Sequence, residues 1–379
     1  MLLAPSFLHA QETILASYQR SFMRAGLAAK TGILRDAVND DRADEFIGEF
    51  YEFALRFIVE NGDLLRDDPD MIILVSTAAR GAGTSGHMAS AETLWKVFLI
   101  FRDSRSRVEI LRSLGVLGKD NSNIIENLNL FLLDQNKEYR SGMVPDYSVL
   151  EACSEALGLL GDSSSYTALF SAAAADYPPP LSGIIYRALE SINGDLKQFL
   201  ADVIRSNSAA EKVTALWIAV ENRNFSNADK GELAEAALDA ALILPQDASS
   251  SSLRYAAIGI LSSLKWTRAS PLAIRHFYLV RTDFENGKAP RERFIEAINC
   301  LGAMGDSESA QAIALQLGYF TSRFDHGGAY DEAVIIALIR VLGEMGDKAA
   351  FDYLLYAGYV DYPEQVKAAA REAMNRLKW

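Results

Sequence analysis

Apolar positions recur along this chain at helical spacing, and the runs close on one short sequence. Leu157-Gly158-Leu159-Leu160-Gly161-Asp162 has near copies at Leu114 to Asp120, Leu301 to Asp306 and Leu342 to Asp347. The leucines complete an apolar helical face, Gly161 suits the left-handed conformation that closes a helix, and Asp162 suits the N-cap of the next one. Gly118 to Gly161 is 43 residues, Gly161 to Gly194 is 33 and Gly305 to Gly346 is 41. An elastic period of this size marks a helical repeat array. The stretch between Gly194 and Gly305 has room for three more units, with eroded ends near Asn222 and Trp266. Helix pairs are predicted near 90–118, 122–161, 164–193, 195–222, 228–265, 270–305, 308–346 and 349–378, and no segment requires a strand.

Upstream of these pairs, Glu12 to Val38 reads as helix broken at Gly26 and Gly32. Ala43 to Glu60 places Phe46, Phe50, Phe53, Ala54 and Phe57 on one face as core. Asp67-Asp68-Pro69-Asp70 reads as a solvated helix start, and Asp70 to Ala79 completes a pair. Residues 11–64 are expected to cap the array and 65–379 to form it. Leu2 to Leu8 is apolar and ends at His9-Ala10, which resembles the tail of a signal sequence with a small-residue cleavage point. On that reading 1–10 is a signal-peptide remnant and the mature chain is periplasmic or secreted; otherwise it is cytoplasmic, and the intact mass of the native chain decides.

Fifty acidic against 37 basic residues give net charge −13 without a Lys/Arg block, the wrong balance for tracking phosphates, so nucleic acid is not an expected partner. No segment approaches the length of a transmembrane span. Cys153 and Cys300 occupy helix positions that other copies fill with apolar residues, and they read as core thiols in separate units.

Arg112-Ser113-Leu114-Gly115, Glu155-Ala156-Leu157-Gly158, Asn299-Cys300-Leu301-Gly302 and Arg340-Val341-Leu342-Gly343 resemble the second-helix ends of the HEAT repeat family. The likeness is greatest to the HEAT-like repeats of the phycobilisome lyase type. The resemblance implies an all-α fold, an α-α superhelix built as a right-handed solenoid of antiparallel helix pairs, with second helices lining a concave face. It implies a protein or peptide partner held there by a non-catalytic scaffold or adaptor. The alternative it implies is an accessory or lyase-type enzyme subunit. Two residues before each repeat leucine, the second helices carry Arg112, Glu155, Arg187, Asn299 and Arg340. This row is the candidate partner-binding surface.

Little else offers chemistry. His9, His87, His276 and His326 fall in different segments, and Asp325-His326 lacks further metal ligands nearby, so neither a catalytic set, a metal site nor a cofactor is expected. Arg80 to His87 has the glycines of an anion loop but follows a helix and lacks the Gly-Lys-Ser/Thr ending, so it reads as an inter-helix connection. Asn136–Asp146, Tyr177–Pro180, Asp247–Ser252 and Phe324–Ala329 are candidate edge loops. If the repeat alignment is right, Leu157→Ala and Leu301→Ala each cost ~2 to 5 kcal/mol. Denaturant midpoints check this, and values unchanged for both variants would defeat the alignment.

Overall fold

The structure, a computed structural model, describes residues 5–40, 45–245 and 247–378, with side chains from Ile14 onward. Among these residues the fold is all-α: twenty α-helices, three short 3-10 turns and two isolated bridges. The chain divides into two compact units, Met1–Leu196 and Lys197–Trp379.

The first unit contains five helix pairs: α1 (Pro5–Arg24) with α2 (Leu27–Val38), α3 (Ile47–Leu65) with α4 (Pro69–Ser85), α5 (Ser90–Ile100) with α6 (Ser104–Leu117), α7 (Ser122–Arg140) with α8 (Tyr147–Leu160), and α9 (Tyr166–Ala173) with α10 (Leu181–Ser191). First helices pack on first helices and second on second, giving two layers with the core between them. The second unit repeats the scheme. Its pairs are α11 (Leu196–Ser206) with α12 (Ala209–Glu221), α13 (Asn227–Ile243) with α14 (Ala248–Leu264), α15 (Ser270–Glu285) with α16 (Arg291–Met304), α17 (Ser307–Asp325) with α18 (Glu332–Met345), and α19 (Phe351–Tyr359) with α20 (Glu364–Asn375). The helices up to residue 65, expected to cap the array, are paired in the same way as those that follow.

Helix starts are fixed by short polar side chains that satisfy otherwise orphaned amides. Asp103, Asn121, Asp146, Asp306 and Asp331 each accept from the third amide of the helix they open, and Ser208 and Ser226 close reciprocal capping boxes. Asp68 accepts from the amides of Asp70 at 2.8 Å and Met71 at 3.3 Å, the helix start expected there. Gly161, Gly305 and Gly346 close α8, α16 and α18 with φ near 70°. Gly118 does not: its φ is −81°, and Asp120 takes the left-handed turn at φ 61°. Gly194 is not left-handed either; it lies against the Tyr166 ring, beside the Asp162↔Asn193 bridge.

The repeat leucines Leu114, Leu157, Leu189, Leu301 and Leu342 are buried, each contributing about 1.5–3 kcal/mol by leaving water. The glycine following four of them sets the distance to the next second helix. A Cβ at Gly158 would lie 3.0 Å from Ala188 Cα, one at Gly115 2.9 Å from Ala156 Cα, one at Gly343 2.9 Å from Ala373 Cα, and one at Gly302 2.5 Å from Val341 Cγ1. In α10 and α20, the last second helix of each unit, Glu190 and Asn375 stand at that place.

The two units also share particulars. Gly161-Asp162 and Asp176-Tyr177-Pro178 recur 185 residues later as Gly346-Asp347 and Asp361-Tyr362-Pro363. Tyr177 stacks on Tyr139 and Tyr362 on Phe324, both at 4.3 Å. Buried Lys30 and Lys212 each donate to a carbonyl eight residues earlier, on Phe22 and Ile204, and burial lowers both pKa values. Five pairs, some shared caps and matching plugs give the second unit the same scheme as the first.

Of the predicted edge loops, 141–146, 177–180 and 326–329 are links between helices, while 136–140 and 248–252 are helix, and the 80–87 connection is mostly helix too. Asn136 is buried in α7, giving a hydrogen bond to Ala168 O and taking one from Tyr177 at 3.0 Å. Asp247 caps α14, so Ala248–Ser252 is its first turn. Tyr177 and Phe324 are packed aromatics. Gly81 and Gly83 lie inside α4, under the Tyr51 ring and against Ser113, and only Gly86 terminates it. Helix α1 starts at Pro5, upstream of the expected Glu12, so 5–10 of the expected signal remnant is its first turn and a half; residues 1–4 lie outside the described residues. The aromatic stripe is core, with Phe22 meeting Phe50, Phe53 and Phe57 at 5.9, 6.0 and 5.5 Å.

Glycine in a helix interior costs about 1 kcal/mol against alanine, and this structure offers an opposed pair. Gly343→Ala is expected to destabilise by ~1–3 kcal/mol because the Ala373 backbone blocks the added methyl. Gly259→Ala, whose methyl meets nothing within 4 Å, is expected to stabilise by up to about 1 kcal/mol. Melting temperatures moving in the same direction would refute this account.

Candidate partner-binding surface

All five residues of the predicted row are exposed on second helices: Arg112 on α6, Glu155 on α8 and Arg187 on α10 in the first unit, Asn299 on α16 and Arg340 on α18 in the second. The repeat leucine turned inward explains this. Two residues back along a helix is about 200° around it, far enough to leave the core. The column five residues before the leucine lies about 60° around the helix from the row and is less exposed: Ala152, Ile184 and Ala337 are buried and Glu109 and Glu296 half-buried.

One turn beyond the row lie apolar side chains that the column alignment did not single out. Val116 and Leu159, four residues after Arg112 and Glu155, are 49% and 68% exposed. The first-unit face is thus a charged row beside an apolar edge. Across α4 and α6 the ionic contacts are already engaged: Arg80 and Glu109 form a two-point pair, Nε to Oε2 at 3.0 Å and Nη2 to Oε1 at 2.9 Å. The Arg80 hydrogen bond holds the half-buried Glu109 carboxyl below its ordinary range. Arg112 sits 3.7 Å from Glu109.

In the second unit, Arg340 Nη2 donates to Asn299 Oδ1 at 3.2 Å, linking the row across adjacent helices. Arg340 and Glu344 also edge a groove of about 330 Å³ between α18 and α20, closed on the other side by Glu372 and Arg376. A second, wider trough of about 870 Å³ crosses α12 and α14, with Trp217, Tyr255 and Gly259 in its lining.

Other sequence candidates do not converge. His87 is half-buried beside Gly48, and His326 Nδ1 lies 2.7 Å from Ser322 O at the end of α17. Among the described residues no three His, Cys, Asp or Glu side chains are grouped to hold a metal. The His9 side chain lies outside the described residues. Cys153 and Cys300 are free and buried, burial pushing both thiols up to about 12, which leaves them un-ionised and inert at neutral pH. Among the described residues, no helix is long and apolar enough to cross a membrane.

No protein-family model matches this chain, and no curated protein matches it.

His276, on α15, gives the fold a pH dependence. It is 1% exposed, edge-on to Tyr255 at 5.5 Å, with neither ring nitrogen hydrogen-bonded. Burial, with a smaller contribution from Arg254, lowers its pKa to about 3. The unfolded imidazole, titrating near ~6.5, takes up a proton first on acidification. The stability from burying the neutral ring is therefore complete above about pH 6.5 and lost progressively as pH falls toward 3. The urea midpoint is expected to fall between about pH 7 and 5 in the parent and to fall less in His276→Phe; equal slopes would refute the assignment.

Proposed function

We propose that this chain is a non-catalytic scaffold or adaptor of HEAT type that binds a protein partner along the exposed face of its second helices. The observation that supports this is the row itself, Arg112, Glu155 and Arg187 in one unit and Asn299 and Arg340 in the other, standing in water on helices whose opposite faces are packed. The apolar edge at Val116 and Leu159 adds what a charged row alone lacks, since specific interfaces combine a desolvated apolar centre with a polar rim. A stack of repeats also suits this work, because each unit adds surface at fixed spacing.

Reversing charge at Arg187 and Arg340 together is the test. Both side chains are exposed, so the double variant is expected to melt within about 0.5 kcal/mol of the parent. Immobilised parent protein should retain a partner from native extract that the Arg187→Glu/Arg340→Glu variant retains severalfold less. Equal capture by the two would remove the row as the binding surface.

A further inference from the structure

Arg254, on α14, is the largest fully buried side chain among the described residues, at 2% exposed. A guanidinium cannot escape burial by giving up its proton, so its charge and its donors both have to be met. Here they are met in part: Nη2 donates to Ser251 Oγ, a neutral hydroxyl, at 3.2 Å, while Nε and Nη1 reach no acceptor in the protein. The buried lysines differ, since Lys30 and Lys212 each end on a backbone carbonyl. Packing does not call for an arginine at this place either. Helices α4 and α14 align on their caps, Asp68 with Asp247 and Gly86 with Lys265, and the buried residue of α4 that stands where Arg254 does is Val75.

A second buried group without partners lies beside it. His276, on α15, is 1% exposed and neither ring nitrogen meets a protein partner. The two side chains converge on one ring: the Arg254 guanidinium is 5.7 Å and the His276 imidazole 5.5 Å from the centroid of Tyr255. Two guanidinium nitrogens and the N–H of a neutral imidazole are thus gathered between α14 and α15 with no carboxylate bonded to them. Asp283, farther along α15, acts on Arg254 through space and makes no hydrogen bond to it. On α16, Arg293 and Glu296 are paired with each other at 2.8 Å. Half-buried Ser251 and Tyr255 stand between the pair and the solvent of the trough.

The chemistry of these donors selects their ligand. Water would accept from one or two of them but bring no charge to a buried cation, whereas an anion accepts from all and compensates the guanidinium. The depth of the pair keeps the anion small. One fixed positive charge, with Asp283 opposing a second negative one, keeps it monovalent.

We propose that Arg254 and His276 form a buried site for a small monovalent inorganic anion of chloride size, held by Nε and Nη1 of the guanidinium and by an imidazole N–H. The site is independent of the scaffold reading above, and its anion would join α14 to α15 inside the second unit. Protonation gives His276 a second N–H and a positive charge, so proton and anion favour each other's binding. The anion is therefore held more tightly as pH falls.

The test melts the full chain in sodium chloride and in sodium gluconate at equal ionic strength, gluconate being too large for so closed a site, at about pH 7 and about pH 5, either side of the ordinary histidine range. Chloride is expected to raise the melting temperature saturably by a few degrees, and by more at the lower pH. Arg254→Met keeps the bulk and loses the donors, and should show no chloride shift. His276→Phe should keep a shift that no longer depends on pH. Equal melting of the parent in the two salts at both pH values would overturn the proposal, and so would a chloride shift that survives Arg254→Met. If Arg254→Met does not fold, crystals of the parent grown in sodium bromide decide: an anomalous peak in contact with the Arg254 guanidinium supports the site, and a map without one there removes it.

Discussion

Close contact between consecutive second helices governs the rest of each unit. The glycine after the repeat leucine lets the backbone of the next second helix approach to a distance that a methyl group would block, as at Gly115 with Ala156, Gly158 with Ala188 and Gly343 with Ala373. Each such glycine costs about 1 kcal/mol of helix propensity, so the packing it permits has to exceed that. The contact fixes rotation as well as distance. With the glycine against the neighbour and the leucine in the core, the residue two positions before the leucine is left in solvent. The exposed row is a geometric consequence of the packing, and selection is free to choose its chemistry.

That freedom is visible where the two units differ. Their shared features are among those that hold the helices: the aspartate caps Asp146 and Asp331, the buried lysines on carbonyls, and the aromatic plugs of Tyr177 on Tyr139 and Tyr362 on Phe324. Differences on the second-helix face include Arg35 and Arg80 of one unit, which align with Trp217 and Gly259 of the other. The Arg80 and Glu109 pair is exposed on the arginine side, and such pairs contribute little to stability. Its absence at the aligned positions of the second unit therefore costs that unit little while changing what its surface can touch.

The fold was legible because its signals are local. Helical spacing of leucines, left-handed glycines at 161, 305 and 346, and aspartates opening the next helix are each read within a few residues, and together they placed eight helix pairs. The errors came where a local signal served a distant contact. Gly118 looked like a terminator, but the turn is longer there and Asp120 closes it; Asn136 looked like loop, but it completes the hydrogen bonding of Tyr177, 41 residues away. The row was legible because aligning second helices on the leucine fixes their rotation. The trough was not, since its mark is a glycine that contacts nothing, in a repeat whose end is eroded to Lys265-Trp266.

Where a repeat protein keeps its variable chemistry follows from which edges are closed. The links between first and second helices in the last pair of each unit are filled by buried tyrosines, Tyr177 and Tyr362, so those edges have little room to change without opening the core. The first-helix layer of the second unit is tied by ions: Lys197 bridges Asp229 and Glu232 at 2.7 Å, and Glu235 takes both Trp266 Nε1 and Arg268 at 2.7 Å. The second-helix face carries fewer such ties, and in the second unit it lacks the Arg80-type strap. A surface that can vary without unfolding the array, and that exposes apolar side chains such as Val116, Leu159 and Trp217 beside charged ones, is where recognition can evolve at least cost to the fold.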